Sequence, residues 1–163
     1  DGLSNVLYWG YATSKGRQGH RVKAFREQVT TEQLNSFAEL VLKDKIGIAE
    51  IKKCLLPQFS NLSFITKILM FLDPERYVVM DLQLAKIKEY FPESFFKQLV
   101  VYKTSIPVNS ANEAFYINWC RFCQEAASRH NSVTNRAVDI ERHIFQLVRS
   151  KKITDLKMFF DQA

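Results

Sequence analysis

The sequence lacks a long apolar run, because no uninterrupted apolar stretch reaches the ~18 residues that a membrane-spanning helix needs. It also lacks the phosphate-binding pattern GxxxxGK[ST], the dinucleotide-binding pattern GxGxxG and the zinc-protease pattern HExxH. Its three His show no metal-ligand spacing, and no Ser or Cys lies in a nucleophile-elbow setting. We therefore expect no cofactor, no metal and no membrane span.

Cysteine is scarce, and the three Cys form an odd number. This count is typical of proteins from a reducing compartment, so we expect an intracellular protein of the cytoplasm or nucleus. Cys120 and Cys123 form a lone CxxC inside a helical pattern, and with no second pair they are interpreted as core. The start, Asp1-Gly2-Leu3, has neither a Met nor a signal-peptide layout, which is consistent with a trimmed N-terminus.

Apolar residues are abundant, at 47% of the chain, and thirteen Phe indicate a core filled with rings. Strand signals are confined to 78–80 and 99–102, and neither a repeat nor a low-complexity tract is present. The sequence predicts an all-α, single domain over 1–163 with about eight to ten helices. Residues 3–12 are predicted as the first helix, with Tyr8 and Trp9 in the core or, alternatively, one ring lining a ligand pocket.

The net charge is +6, which favours a polyanionic partner such as nucleic acid or an acidic membrane. Positive charge is concentrated near the N-terminus, where Gly16 and Gly19 predict a flexible loop within 13–26. This segment is either a solvated basic loop or a phosphate-contacting one, since loose cationic chains follow a phosphate backbone well. Its basic residues are Lys15, Arg17, Arg21, Lys23 and Arg26.

Residues 55–81 contain the feature with the clearest chemical use. Pro57 ends one short helix, and a second, very apolar helix is predicted over Leu62–Leu72. Asp81 then follows an apolar segment and precedes a further helical pattern in 82–91. A carboxylate there is either an N-cap, which alone would explain an Asp, or the acidic group of a functional site.

The run Leu56-Pro57-Gln58-Phe59-Ser60 resembles the hairpin Leu-Pro-Gly-Val-Gly of the helix-hairpin-helix (HhH-GPD) DNA glycosylase superfamily. Asp81 lies nineteen positions after Leu62, close to the distance that this superfamily keeps between its catalytic-lysine position and its invariant aspartate. Residues 136–142, RAVDIER, look like the Asp-Val-Asp/Glu-Arg segment near the end of such domains. The resemblance directly covers about 45 residues, including a hairpin at 56–61.

The sequence departs from the superfamily pattern at three positions. Gln58 and Ser60 stand where the hairpin has glycines, which let backbone N–H groups approach a phosphate. Leu62 occupies the lysine position, so no Schiff base can form there and strand-cleaving lyase chemistry is not expected at that site. Lys67, five positions on, is expected on another part of the helix and is a poor substitute.

The resemblance implies a base excision repair enzyme that binds double-stranded DNA, flips out a damaged or modified base and hydrolyses its N-glycosidic bond. Asp81 would stabilise the developing sugar cation, in a monomeric and monofunctional enzyme. A non-enzymatic DNA-binding module, or a helical protein-interaction domain with Asp81 as a cap, is the alternative. The expected DNA-contacting residues are Gln58, Ser60, Asn61, Ser63, Lys67, Lys15, Arg17, Arg21 and Lys23.

Overall fold

The computed structural model describes residues 1–12, 16–43, 46–129 and 136–160. Within these ranges the backbone forms nine α-helices and two short 3-10 helices, and its one β-type pairing is an isolated bridge between Tyr102 and Ser105. The predicted all-α class and helix number are therefore confirmed. The helices are α1 (Gly2–Gly10), α2 (Arg17–Gln28), α3 (Thr31–Val41), α4 (Ile48–Lys53), α5 (Leu62–Leu72), α6 (Ile87–Tyr90), α7 (Ser110–Arg129), α8 (Ala137–Arg149) and α9 (Ile153–Phe160), with 3-10 helices at Leu84–Lys86 and Phe95–Gln98.

The prediction of a flexible loop within 13–26 is wrong for residues 17–26, because α2 begins at Arg17. Gly16 has a φ of 74°, a left-handed conformation that glycine adopts easily, and the helix starts directly after it. Phe25 is 4% exposed and α2 packs along α1, so tertiary packing outweighs the low helix propensity of Gly19. Lys15 lies outside the described residues.

Helix α5 lies in the middle of the hydrophobic core, as its apolar sequence predicts. Leu62 and Ile65 are fully buried, and α5 packs against both α1 and α4. The last turn of α5 is less buried, since Phe71 and Leu72 are 50% and 41% exposed. The polar residues of α5 are buried as well, with Thr66 at 0% and Lys67 at 6% exposure. Burial of these two groups requires hydrogen-bond partners inside the protein.

Thr66 provides one such contact by fixing the extended segment 78–80, which leads to Asp81. Its Oγ1 accepts a hydrogen bond from the backbone N–H of Met80 at 3.1 Å. From α7, the Tyr116 hydroxyl and the Trp119 Nε1 donate to two carbonyl groups of this segment, at 2.8 and 3.0 Å. The segment 78–80 is buried and forms hydrogen bonds with side chains of both α5 and α7. The packing of these two helices therefore sets the position of Asp81.

A cluster of rings behind α7 holds the second side of the core together. Phe95 and Phe96 pack against Trp119, with ring centroids 6.5 and 5.3 Å apart. Phe122 stacks on Phe160 of α9 at 5.3 Å, so the C-terminal helix joins the same cluster. The predicted ring-filled core is confirmed. None of the helices in the described ranges has the length and apolarity needed to cross a membrane.

Candidate active site

A cavity of about 670 Å³ lies among α1, α5, α8 and the residues around Asp81. It combines an apolar wall with an unusually dense set of charged side chains. The apolar wall is formed by Trp9, Met70, Phe71, Pro74, Val79, Val138 and Phe145. The charged residues that line it are Lys67, Asp81, Arg136, Asp139, Glu141, Arg142 and Arg149.

Asp81 has two roles in this geometry. Its Oδ1 accepts hydrogen bonds from the backbone N–H groups of Gln83 and Leu84, at 2.9 and 3.1 Å. These bonds cap the following helical turn, so the N-cap interpretation of Asp81 is confirmed. The same half-buried side chain lines the cavity. Both capping bonds end on Oδ1, so capping does not require Oδ2, and the cap interpretation leaves a functional role for Asp81 open.

Lys67 lines the same cavity as Asp81, whereas the fully buried Leu62 does not line it. Lys67 therefore lies on another part of α5 than Leu62, as the shift of five positions predicts, while its place in the cavity beside Asp81 was not expected. Its Nζ donates to the carbonyl of Ser63 at 3.0 Å and lies 5.1 Å from the centroid of the Phe64 ring. Burial lowers the pKa of the Lys67 ammonium, and the nearby Asp81 partly opposes this shift.

Glu141 of α8 is the residue that the sequence analysis missed. Only 6% of it is exposed, and it lines the cavity together with Lys67 and Asp81. Burial raises the pKa of the Glu141 carboxyl to about 8, and the charge of Asp81 adds to the increase, while Lys67 and a backbone hydrogen bond with Val79 oppose it. A signal was present, since Glu141 follows Ala137 by four positions and thus falls on the apolar stripe of α8.

The three ionisable groups of the cavity floor, Lys67, Asp81 and Glu141, are close enough to influence one another's protonation. Among the described residues, no ion pair of 4.0 Å or less joins Lys67 to either carboxyl group. A carboxyl that keeps its proton near pH 7 can donate that proton, and a neighbouring carboxylate can stabilise positive charge. The floor is therefore suited to acid–base chemistry on a bound molecule.

The rim of the cavity is aromatic on one side. Trp9 packs edge-on against Phe71, with ring centroids 5.3 Å apart, and the two residues are 48% and 50% exposed. The expected core position is thus wrong for Trp9, and for Tyr8 at 58% exposure. The reason is that α1 buries the opposite stripe, which includes Leu7. The alternative, a ring lining a pocket, describes the position of Trp9.

The other side of the rim is basic and belongs to α8. Arg142 and Arg149 are exposed, as the amphipathic pattern of this helix predicts. Arg136 pairs with Asp139, whose Oδ2 lies 3.1 Å from the arginine Nε. The Asp139 carboxylate also accepts a hydrogen bond from the backbone N–H of Arg136, and this contact fixes the start of α8. Guanidinium groups at these positions are suited to contact phosphates.

The connection between α4 and α5 contacts the basic helix α2. Arg21 of α2 donates from Nη1 to the Gln58 Oε1 at 2.8 Å, and its guanidinium lies 5.5 Å from the Tyr11 ring centroid. Gln58 has a φ of 70°, in the left-handed region that glycine adopts without steric cost. The backbone at Gln58 thus has a glycine-like conformation at the position where the resemblance expects glycine.

The remaining predicted DNA-contacting residues fall into two groups. Ser60 is exposed within this connection, and Arg17 and Lys23 are exposed on α2. Asn61 caps α5, since its Oδ1 accepts from a backbone N–H at 3.2 Å. Lys67 lies apart from them in the cavity, bound to the carbonyl of Ser63. The structure therefore brings α2 together with 56–61 but separates Lys67 from that surface.

The cysteine pair has the structural character that its sequence context predicts. Cys120 and Cys123 are buried free thiols, and burial raises the pKa of Cys120 to about 11. Among the described residues, no cluster of three or more His, Cys, Asp or Glu side chains could hold a metal ion. His143 is exposed, and its ring lies 5.6 Å from the Phe159 ring. Neither the cysteine pair nor His143 forms a rival site among the described residues, so the cavity is the best-supported candidate site.

No protein-family model, curated protein or solved structure matches the chain. Any function must therefore be argued from the cavity and from the residues that carry the helix-hairpin-helix resemblance.

Proposed function

We propose that this protein hydrolyses the N-glycosidic bond of a damaged or modified base that has been flipped out of DNA. The observation that carries the proposal is the position of Asp81, whose carboxylate lines a cavity that also offers aromatic rings and arginines. Each part of a flipped nucleotide then has a chemically suited partner: rings for the base, a carboxylate for the sugar and guanidinium groups for the phosphates.

The cavity has the dimensions of a small-molecule site. Its volume of about 670 Å³ lies inside the range of roughly 300–1,000 Å³ that is common for ligand pockets. Trp9 and Phe71 present about half of their surface at the rim, where a base leaving the DNA stack could pack against them. Rings at a cavity mouth lower the cost of unstacking a base.

The charge distribution supports a DNA substrate. The chain carries a net charge of +6, and the exposed side chains of Arg142 and Arg149 stand at the cavity rim. Arg17 and Lys23 extend the basic surface along α2. Phosphate contacts of this kind supply most of the affinity for nucleic acid and fix the register of the duplex.

Asp81 has the chemistry needed for the bond-breaking step. As the C–N bond lengthens, positive charge develops on the sugar, and a fixed carboxylate in a partly dry site stabilises it strongly. Lys67 is 6% exposed and donates to the Ser63 carbonyl on its own helix. An amine held in this way is badly placed to attack a sugar carbon, which favours hydrolysis over lyase chemistry.

The second candidate is a non-enzymatic DNA-binding or protein-interaction domain. It is favoured by one observation, the two capping bonds that Asp81 accepts from Gln83 and Leu84. Under this alternative the carboxylate is structural and the cavity has no substrate.

A screen of duplex oligonucleotides separates the two candidates. Each duplex carries a single lesion, and alkali after the incubation reveals abasic sites as strand breaks. The proposal expects at least one lesion to be released by the parent protein but not by Asp81→Asn. Asp155→Asn, an exposed aspartate on α9, is the matched control and should retain full activity. A complete absence of Asp81-dependent release across the panel would reject the enzyme.

Binding gives an independent readout. Affinity for duplex DNA should fall steeply between 50 and 200 mM salt, by about 10³-fold for a protein that makes six phosphate contacts. A flat salt response would remove the nucleic-acid partner from both candidates.

A further inference from the structure

We infer that Glu141 is a second catalytic residue, the acid that protonates the departing base, and that the substrates are therefore bases without a positive charge. This inference rests on the proposed function and makes it more specific. It assigns a chemical class to the base: an uncharged heterocycle with an acceptor nitrogen or oxygen that can reach the cavity floor.

The placement of Glu141 carries the argument. It lines the cavity from α8, together with Lys67 on α5 and Asp81 at the end of the segment 78–80. With 6% of its surface exposed, it is the most deeply buried carboxyl group of the cavity. The Val79 backbone N–H donates a hydrogen bond to the Glu141 carboxyl group and holds it beside the segment 78–80, which leads to Asp81.

The surroundings favour the protonated form of Glu141. Burial is the main cause of its raised pKa, which is about 8, so the group holds its proton at pH 7. Lys67 and Arg142 act in the opposite direction and Asp81 in the same one. Cys123, on α7, is a buried neighbour that is also sensitive to this carboxyl. The other charged groups that line the cavity are Arg136, Asp139 and Arg149 of α8.

The two carboxyl groups then have different tasks in one hydrolysis. The C–N bond breaks with its electron pair on the base, and the Glu141 proton moves to an acceptor atom of that base. A water molecule attacks the sugar carbon that Asp81 has stabilised, and its proton passes to a carboxylate of the site and then to solvent. The products are a free base and an abasic sugar hydroxyl, and Glu141 regains its proton from solvent.

The charge of the leaving base decides whether this acid is needed. A base that already carries a positive charge, such as N7-methylguanine, leaves as a neutral molecule and requires no proton. An uncharged base, such as hypoxanthine, would leave as an anion unless it is protonated. General-acid assistance of this kind typically contributes about 10²–10⁴-fold to the rate. A buried, protonated carboxyl therefore assists only the release of bases that carry no positive charge.

The test compares duplexes that contain hypoxanthine or N7-methylguanine, in the parent protein and in Glu141→Gln. Glutamine keeps the size and polarity of the side chain but cannot donate a carboxyl proton. We expect Glu141→Gln to lose about 10²–10⁴-fold in the rate of hypoxanthine release. Any release of N7-methylguanine should change by less than a few-fold. Glu141→Asp, which keeps a carboxyl group, should restore part of the hypoxanthine activity.

A pH profile provides a readout that a purely structural role would not move. The rate of hypoxanthine release by the parent protein should fall as pH rises through about 8, because Glu141 loses its proton there. The residual rate of Glu141→Gln should lack this fall. Equal losses on both probes, an unchanged pH profile, or a parent protein that releases only the charged base would overturn the inference. Absence of Asp81-dependent release from every lesion of the wider duplex panel would instead reject the proposed function.

Discussion

The ionisation of Glu141 makes folding stability depend on pH, and this can be measured without any substrate. In the folded protein, burial raises the pKa of Glu141 to about 8 from an ordinary value of 4.5. Between these pH values the unfolded chain has released a proton that the folded chain still holds, so rising pH favours unfolding. The loss is about 1.4 kcal/mol for each pH unit, or about 5 kcal/mol over the whole interval.

Glu141→Gln removes this dependence because an amide does not ionise. We expect the unfolding free energy of Glu141→Gln, relative to the parent protein, to rise by about 4 kcal/mol between pH 5 and pH 9. Urea denaturation at four or five pH values, followed by far-UV circular dichroism, measures this difference. Glu39→Gln, at an exposed position of α3, is the control and should give a constant difference. A constant difference for Glu141→Gln as well would refute the buried, protonated state.

Three further predictions concern the helices around the cavity. Thr66→Val should destabilise the protein by about 1–3 kcal/mol in urea denaturation, because it leaves a buried backbone N–H without its acceptor. A near-zero loss would mean that 78–80 is held by other contacts. Gly10→Ala should cost about 1–3 kcal/mol, since its Cβ would lie 2.6 Å from Phe64, whereas Gly19→Ala meets no atom within 4 Å and should stabilise α2. Similar melting temperatures for the two variants would contradict this packing. Borohydride should trap no covalent complex between Lys67 and an abasic duplex, and a trapped adduct would establish lyase chemistry.

The fold class followed from the sequence because two helices have strong, regular apolar patterns. In α8, Ala137, Ile140 and Ile144 recur at helical spacing and are all buried. In α5, apolar residues surround the helix, and its burial is the expected consequence. Helix α2 was missed because two glycines and a high charge suggested a loop, and its packing along α1 is a tertiary effect.

The candidate site was only partly visible in the sequence. Asp81 could be selected from the sequence because it follows an apolar segment and precedes a helical pattern. In the structure it caps the following turn and also lines the cavity. Glu141 could have been selected from its position on the apolar stripe of α8. That Lys67 lines the same cavity as these two carboxyl groups could not be deduced, since it depends on how α5 and α8 are placed around the segment 78–80. The raised pKa of Glu141 likewise requires the folded environment.

The role of Asp81 is tested most directly by single-turnover base release and DNA binding measured side by side for Asp81→Asn. Asparagine caps helices as well as aspartate does, so the bonds to Gln83 and Leu84 should survive and the fold should be kept. We expect release of the base to slow by about 10²–10³-fold, while duplex binding is unchanged or tighter. Unchanged release from a duplex that the parent protein cleaves would show that Asp81 is a cap and nothing more.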